Sequence, residues 1–235
     1  MHDDPSRRAV PTASARSDGD LVDDPRSTTF VAIAMLTAVA ALTIVVVADT
    51  VSPPFLQGLD DAWRRRVLAW PDLTRSLGDL FEQVGASVVM VALRIAVAAW
   101  LAFRRRRWDL AAWLVGWIMA DVLTAVLKPG IARQRPTRID PDNPFTSFPS
   151  AHAKTAAQVA IGSVLVLTDP CGRRRWWYAV AFAWVVLMAL SRTVVDHHWL
   201  SDVVAGSMLG AGCMLLASAT LQTVRGKRAP EPFGG

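Results

Sequence analysis

Residues 108–136 read WDLAAWLVGWIMADVLTAVLKPGIARQRP. The stretch from Trp108 to Leu127 carries only Asp109 and Asp121 as charges. Three cations and two prolines then arrive in the next nine positions. Twenty helical residues extend about 30 Å, the thickness of a bilayer's hydrocarbon core. The stretch therefore reads as a membrane-spanning helix that ends in a basic, proline-broken loop. Further apolar runs lie at 30–48, 84–103, 153–168, 176–190 and 200–221, the fourth and fifth of the six being short enough to need their flanks to complete a span. With 52% hydrophobic and 19% charged residues, six such runs leave too little polar surface for a soluble helical protein. The expected fold is all-α: a polytopic integral membrane protein with a six-transmembrane-helix bundle.

Charge placement orients the bundle. The net charge of +5 does not mark a nucleic-acid binder, because Arg104 to Arg107 and Arg173 to Arg175 are tight blocks in short loops between apolar runs. Cytoplasmic loops favour Lys and Arg. An even number of spans puts both termini on one side, and most of the 25 Lys and Arg share that side. Both termini are thus expected in the cytoplasm of a multi-pass cell-membrane protein, although Arg64, Arg65 and Arg66 fall on the outer side. Residues 1–27 read as a disordered cytoplasmic tail, 28–222 as the membrane domain, and 223–235 as a short basic tail. Between the first two spans, Leu56, Leu59, Trp63, Val67 and Trp70 recur at helical spacing. They suggest an amphipathic helix on the outer face, ended by Pro71 and Gly78. Cys171 falls in a cytoplasmic loop and Cys213 deep in the last span, so no disulfide is expected.

Three polar clusters interrupt this apolar pattern: Lys128-x6-Arg135-Pro136, then Pro149-Ser150-Ala151-His152, then Ser191-Arg192-x5-His198-x3-Asp202. All three fall at outer ends of spans under the single topology above. Arg offers a planar fork matched to two phosphate oxygens and Lys a point charge. Ser150 sits where a proline-rich loop becomes helix, where freed amides suit an anion, so it is expected to give phosphate its hydroxyl and its own backbone amide. His198 and Asp202, four apart, share a face if both are helical. The carboxylate can then take the Nδ1–H of the imidazole and leave Nε2 as a nucleophile. Asp196 and His197 are adjacent rivals whose side chains would point elsewhere. Each cluster alone has an ordinary explanation: interface cations, a helix cap, a stray histidine. Their co-location points to phosphate chemistry.

Together the clusters resemble the three-part signature of the type 2 phosphatidic acid phosphatase family, K-x6-R-P, P-S-G-H and S-R-x5-H-x3-D. The likeness runs over roughly residues 30–221, with Ala151 where the family usually has Gly. The resemblance implies that Lys128, Arg135, Ser150, Ala151 and Arg192 cradle a phosphoryl group. It also implies that His198 attacks phosphorus, that His152 protonates the leaving oxygen and that Asp202 orients His198. It implies no metal and no cofactor. The expected substrate is a lipid phosphate or diphosphate, with a polyprenyl diphosphate such as undecaprenyl diphosphate favoured by the outward-facing site. Phosphatidic acid, phosphatidylglycerophosphate, phosphotransfer to an alcohol, and non-enzymatic transport of an anionic lipid are the alternatives. Two further features lie inside spans. Arg94 and Asp121 can pair across adjacent helices, and Gly206-x3-Gly210 allows close helix approach, within the bundle or in a homo-oligomer.

Overall fold

The computed structural model describes residues 22–49, 55–84, 87–137, 147–168 and 174–228, and every regular element among them is a helix. These are α1 (Pro25–Ala48), α2 (Phe55–Leu68), α3 (Asp72–Val84), α4 (Ser87–Phe103), α5 (Arg107–Ile131), α6 (Ala151–Leu167), α7 (Arg174–Val194) and α8 (Leu200–Arg228). Helices α1, α5, α7 and α8 are long and apolar enough to cross a membrane, whereas α4 and α6 are apolar but shorter. The expected run at 176–190 gains its length from its flanks. The run expected from residue 84 starts as a helix only at Ser87, which leaves α4 with 17 residues.

Helix α8 lies at the centre, against α1, α5 and α6. Its contact with α6 depends on two glycines. A Cβ on Gly206 would collide with the Ser150 carbonyl, and one on Gly210 with the Lys154 carbonyl. The Gly206-x3-Gly210 spacing therefore serves packing within the chain, where it sets the start of α6 against α8. Arg174, fully buried, donates to the carbonyls of Leu165 (2.8 Å) and Val164 (3.3 Å). It thereby satisfies the open carboxyl end of α6.

The expected tails are partly helical. The Asp24 carboxylate caps α1 by accepting from the amides of Arg26 (3.0 Å) and Ser27 (3.2 Å), with Pro25 in the first turn. The Val22 amide donates to Gln222 Oε1 (2.7 Å), and Gln222 Nε2 donates back to the Val22 carbonyl (3.1 Å). Residues 22–27, expected as tail, are thus tied to the bundle, and residues 223–228, also expected as tail, continue α8. Residues 1–21, 229–235 and Cys171 lie outside the described residues. Cys213 is a buried free thiol.

Two helices replace the single amphipathic one expected between the first two spans. The inward face of α2 carries Leu56, Asp60, Trp63 and Val67, with Asp60 and Val67 fully buried, while Leu59 is exposed. A carboxylate therefore occupies the centre of the face that the pattern assigned to apolar groups. Helix α3 continues through Gly78, where the missing side chain admits Val195 Cγ1 at 3.0 Å from the position of a Cβ. Leu73, Leu77, Leu80 and Val84 form one exposed stripe along α3, as on a helix lying in a membrane interface.

Candidate active site

The C-terminal ends of α5 and α7 and the N-terminal ends of α6 and α8 meet at one end of the bundle. Helix α5 stops at Ala132, which adopts a left-handed φ of 48°. This turns Arg133 and Arg135 back over the bundle. Ser150 is the N-cap of α6, and its hydroxyl faces the Ala153 amide at 3.5 Å. Its own amide donates to the Asp202 carbonyl (3.0 Å). The expected gift of the Ser150 amide to phosphate is therefore corrected, since that N–H ties α6 to α8. The amides left without intrahelical acceptors at this end belong to the first residues of α6, Ala151 and His152.

The α7–α8 connection shapes the cationic side. The amides of His197 and His198 both donate to the Arg192 carbonyl (3.1 and 3.2 Å). Arg192 donates to His197 Nδ1, and Arg135 to the His197 carbonyl (3.3 Å). His197, a rival for catalysis in the sequence, stands between the two arginines and holds them in place. Arg135 Nε is buried without a partner among the described residues. An unpaired buried guanidinium N–H is costly unless an anion completes it. Asp196, the other rival, receives both ends of the Arg64 fork (2.7 Å each) and the Thr137 hydroxyl. It latches α2 to the connection.

His198 and Asp202 are both sealed from solvent. Asp202 Oδ2 lies 3.5 Å from His198 Nδ1, an ion-pair distance beyond hydrogen bonding, and the buried Nδ1 has no hydrogen-bond partner among the described residues. The same oxygen already accepts from the Ser147 hydroxyl and from the Trp199 amide (3.0 Å). Asp202 Oδ1 accepts from Arg133 (2.7 Å). Burial pushes the His198 imidazole down to about 4, and the neighbouring Asp202 only partly opposes that shift. His198 is therefore neutral at pH 7, the state in which a ring nitrogen carries a lone pair. A histidine-selective ¹⁵N titration in detergent is expected to show His198 neutral down to pH 5. A midpoint near the unperturbed value of about 6.5 would contradict this.

The sequence reading missed the support beneath this pair. Arg133 donates to Asp202, to Asp60 Oδ2 (2.7 Å), to Gln57 Oε1 (2.9 Å) and to the Ser201 hydroxyl (2.6 Å). Its guanidinium also lies 5.6 Å from the Trp199 ring centre. Asp60 in turn accepts from the Ser201 amide (2.9 Å) and hydroxyl (2.5 Å), which caps α8 from another helix. One arginine thus neutralises two buried carboxylates. The signal available was Asp60 itself, a charge placed in register with Leu56, Trp63 and Val67.

Lys128 lies within electrostatic reach of Arg135 and Asp202, and His152 within reach of Arg192, His198 and Arg135. Lys128, Ala151 and His152 line one cavity of about 350 Å³ between α4, α5 and α6. Every site residue expected from the sequence thus falls in one region. Among the described residues, no group of three or more His, Cys, Asp or Glu could hold a metal ion. The arrangement offers a neutral imidazole, a second histidine, three cations and a helix N-terminus. That set can bind a tetrahedral anion and exchange one of its substituents.

Residues 109–225 match the model of the PAP2 superfamily. Phosphatidylglycerophosphatase B of Bacillus subtilis is 32% identical over 133 residues, 54% of this chain and 65% of the relative. Undecaprenyl-diphosphatase of Sulfolobus acidocaldarius is 31% identical over 124 residues, 50% of this chain and 57% of the relative. The chain thus spans less than two thirds of the length of these curated relatives. The crystal structure of a transmembrane PAP2-type phosphatidylglycerolphosphate phosphatase from Bacillus subtilis superimposes with a TM-score of 0.64. It covers 84% of this chain and 98% of its own at 24% identity, a likeness of fold.

Proposed function

Because the chain belongs to the PAP2 superfamily, we propose that it is an integral membrane phosphatase that releases phosphate from a lipid phosphate or diphosphate through a phosphohistidine. The observation that carries this reading is the meeting of neutral His198, backed by Asp202, with His152, Lys128, Arg135 and Arg192 at one end of the bundle, beside a cavity that Lys128 and His152 line. His198 keeps its proton on Nδ1, toward Asp202, and directs Nε2 at phosphorus. A P–N bond forms as the ester or anhydride P–O bond breaks. His152 donates its proton to the departing oxygen. Lys128, Arg135 and Arg192, with the amides at the start of α6, balance charge on the equatorial oxygens. Water, deprotonated by His152, then cleaves the P–N bond, and inorganic phosphate leaves. The Ala151 methyl stands where the family usually has Gly. Its amide is retained, which supports an active enzyme.

The six apolar helices α1, α4, α5, α6, α7 and α8 are the membrane spans in this reading. Val22 and Gln222 meet at the end of the bundle opposite the site, beyond Leu101 and Val166. The bias of Lys and Arg toward that end supports cytoplasmic termini and an extracytoplasmic site. Two substrate kinds suit an outward site at the bilayer edge. One is a polyprenyl diphosphate. The other is a lipid whose phosphate is carried on a glycerol or sugar unit. Phosphate release by the purified chain from undecaprenyl diphosphate, phosphatidic acid and phosphatidylglycerophosphate, with EDTA present, tests the proposal. Turnover that persists in EDTA and is blocked by vanadate is expected. A strict divalent-cation requirement would defeat the mechanism.

A further inference from the structure

The cavity that begins at Lys128 and His152 also reaches Arg94, Asp121, Lys154 and Thr155. Asp121 lies seven residues before Lys128 on α5, about 10 Å deeper along the helix. Arg94 donates to Asp121 Oδ2 (3.1 Å), to the Thr155 hydroxyl (2.9 Å) and to Gln158 Oε1. Trp117 Nε1 donates to Asp121 Oδ2 (2.6 Å), and Lys154 Nζ to Asp121 Oδ1.

The expected Arg94–Asp121 pair therefore exists, but its exposure is uneven. The side chains of Arg94 and Lys154 are 5% and 6% exposed, whereas that of Asp121 is 39% exposed. A pair built only for packing would enclose its carboxylate along with its cations. All three groups line the cavity, but the cations are buried while more than a third of the carboxylate side chain is open. An ionised carboxylate has about four acceptor positions and no donor. Three are occupied by Arg94, Trp117 and Lys154, which leaves capacity on Oδ1. A group arriving from the cavity must bring a hydrogen to use it. A hydroxyl does so, whereas a second phosphate brings a like charge.

We infer that Asp121 is a specificity residue that accepts a hydrogen bond from a hydroxyl on the unit joining the scissile phosphate to the lipid. This rests on the phosphatase reading above and narrows its substrate to a glycerol- or sugar-linked lipid phosphate. Arg94, Lys154 and Trp117 hold the carboxylate in place. The side-chain hydroxyl of Thr155 and the body of α4 close the cavity around the linking unit.

The test compares phosphatidylglycerophosphate with its analogue on 1,3-propanediol, which has the same length and charge but lacks the central hydroxyl. The full chain is assayed in mixed micelles with both lipids. The wild type is expected to favour the hydroxylated lipid in kcat/KM by about tenfold or more, the scale of a hydrogen bond to a charged group. In Asp121→Ala that ratio is expected to fall toward one. Because the ratio is taken on one preparation, it does not depend on the folded fraction. If Asp121→Ala does not fold, Asp121→Asn, which keeps the shape and loses the charge, is expected to reduce the ratio several-fold. Equal kcat/KM for the two lipids in the wild type overturns the inference while leaving the phosphatase reading intact. A ratio unchanged in the folded variant does the same. Absence of release from both lipids, with release from undecaprenyl diphosphate by the same preparation, overturns the inference alone, and absence of release from all three overturns the phosphatase reading and this inference with it.

Discussion

Replacing His198 with Ala is expected to lower kcat for phosphate release by on the order of 10⁴-fold or more, while KM stays within about threefold. The asymmetry follows from the site's construction. The cations that hold the phosphoryl group sit on α5, its following loop and α7, and none depends on the His198 ring. The Arg192 carbonyl accepts from the backbone amide of His198, a bond that Ala retains. The variant therefore loses the attacking nitrogen and keeps the anion site. Steady-state phosphate release in detergent checks this. Residual turnover above about 1% of wild type would place the nucleophile elsewhere. The same variant separates catalysis from carriage, because a lipid transporter using these cations would keep its transport.

Replacing Arg133 with Met is expected to reduce kcat/KM by about 10²-fold or more and to destabilise the fold by about 3–5 kcal/mol. Arg133 is the sole cation bonded to both Asp60 and Asp202 among the described residues. Both carboxylates are at most 2% exposed. Removing the guanidinium leaves two buried negative charges without compensation. Asp202 would then shift or take up a proton, and His198 would lose its alignment. Lys at this position restores the charge but cannot span Asp60, Asp202 and Gln57 with one planar fork, so only partial recovery is expected. The double variant Arg133→Met with Asp60→Asn should recover stability while activity stays low. Thermal unfolding in detergent and phosphate release on one preparation separate the two effects. Wild-type activity in Arg133→Met would remove Arg133 from the positioning of the site.

The helices and the three clusters were legible because their signals are local. An apolar run of bilayer length needs no partner to be recognised, and K-x6-R-P, P-S-x-H and S-R-x5-H-x3-D keep their spacing in the chain. What escaped was held by contacts between distant residues. Asp60 stands in register with Leu56, Trp63 and Val67, but nothing near it in sequence shows that Arg133 and Ser201 wait across the bundle. The Ser150 amide looked free because its acceptor, the Asp202 carbonyl, lies 52 positions away. Gly78 looked like a helix stop because its steric role is set by Val195, far along the chain just past the end of α7. Arg94 and Asp121 could be paired from the sequence as two costly charges in adjacent spans. That the pair opens on the carboxylate side is visible only with Lys154, Thr155 and Gln158 in place around it.

The most direct measurement is a rapid acid-free quench of the purified chain turning over a lipid labelled in its terminal phosphate, followed by mapping of the labelled peptide. Wild type and His152→Ala are both used, because His152 serves formation of the intermediate as well as its hydrolysis. The label is expected on His198, stable in alkali and lost in acid, as a phosphorus–nitrogen bond requires. Label on Ser150 or Asp202, or turnover with no phosphoenzyme in either form, would contradict the account.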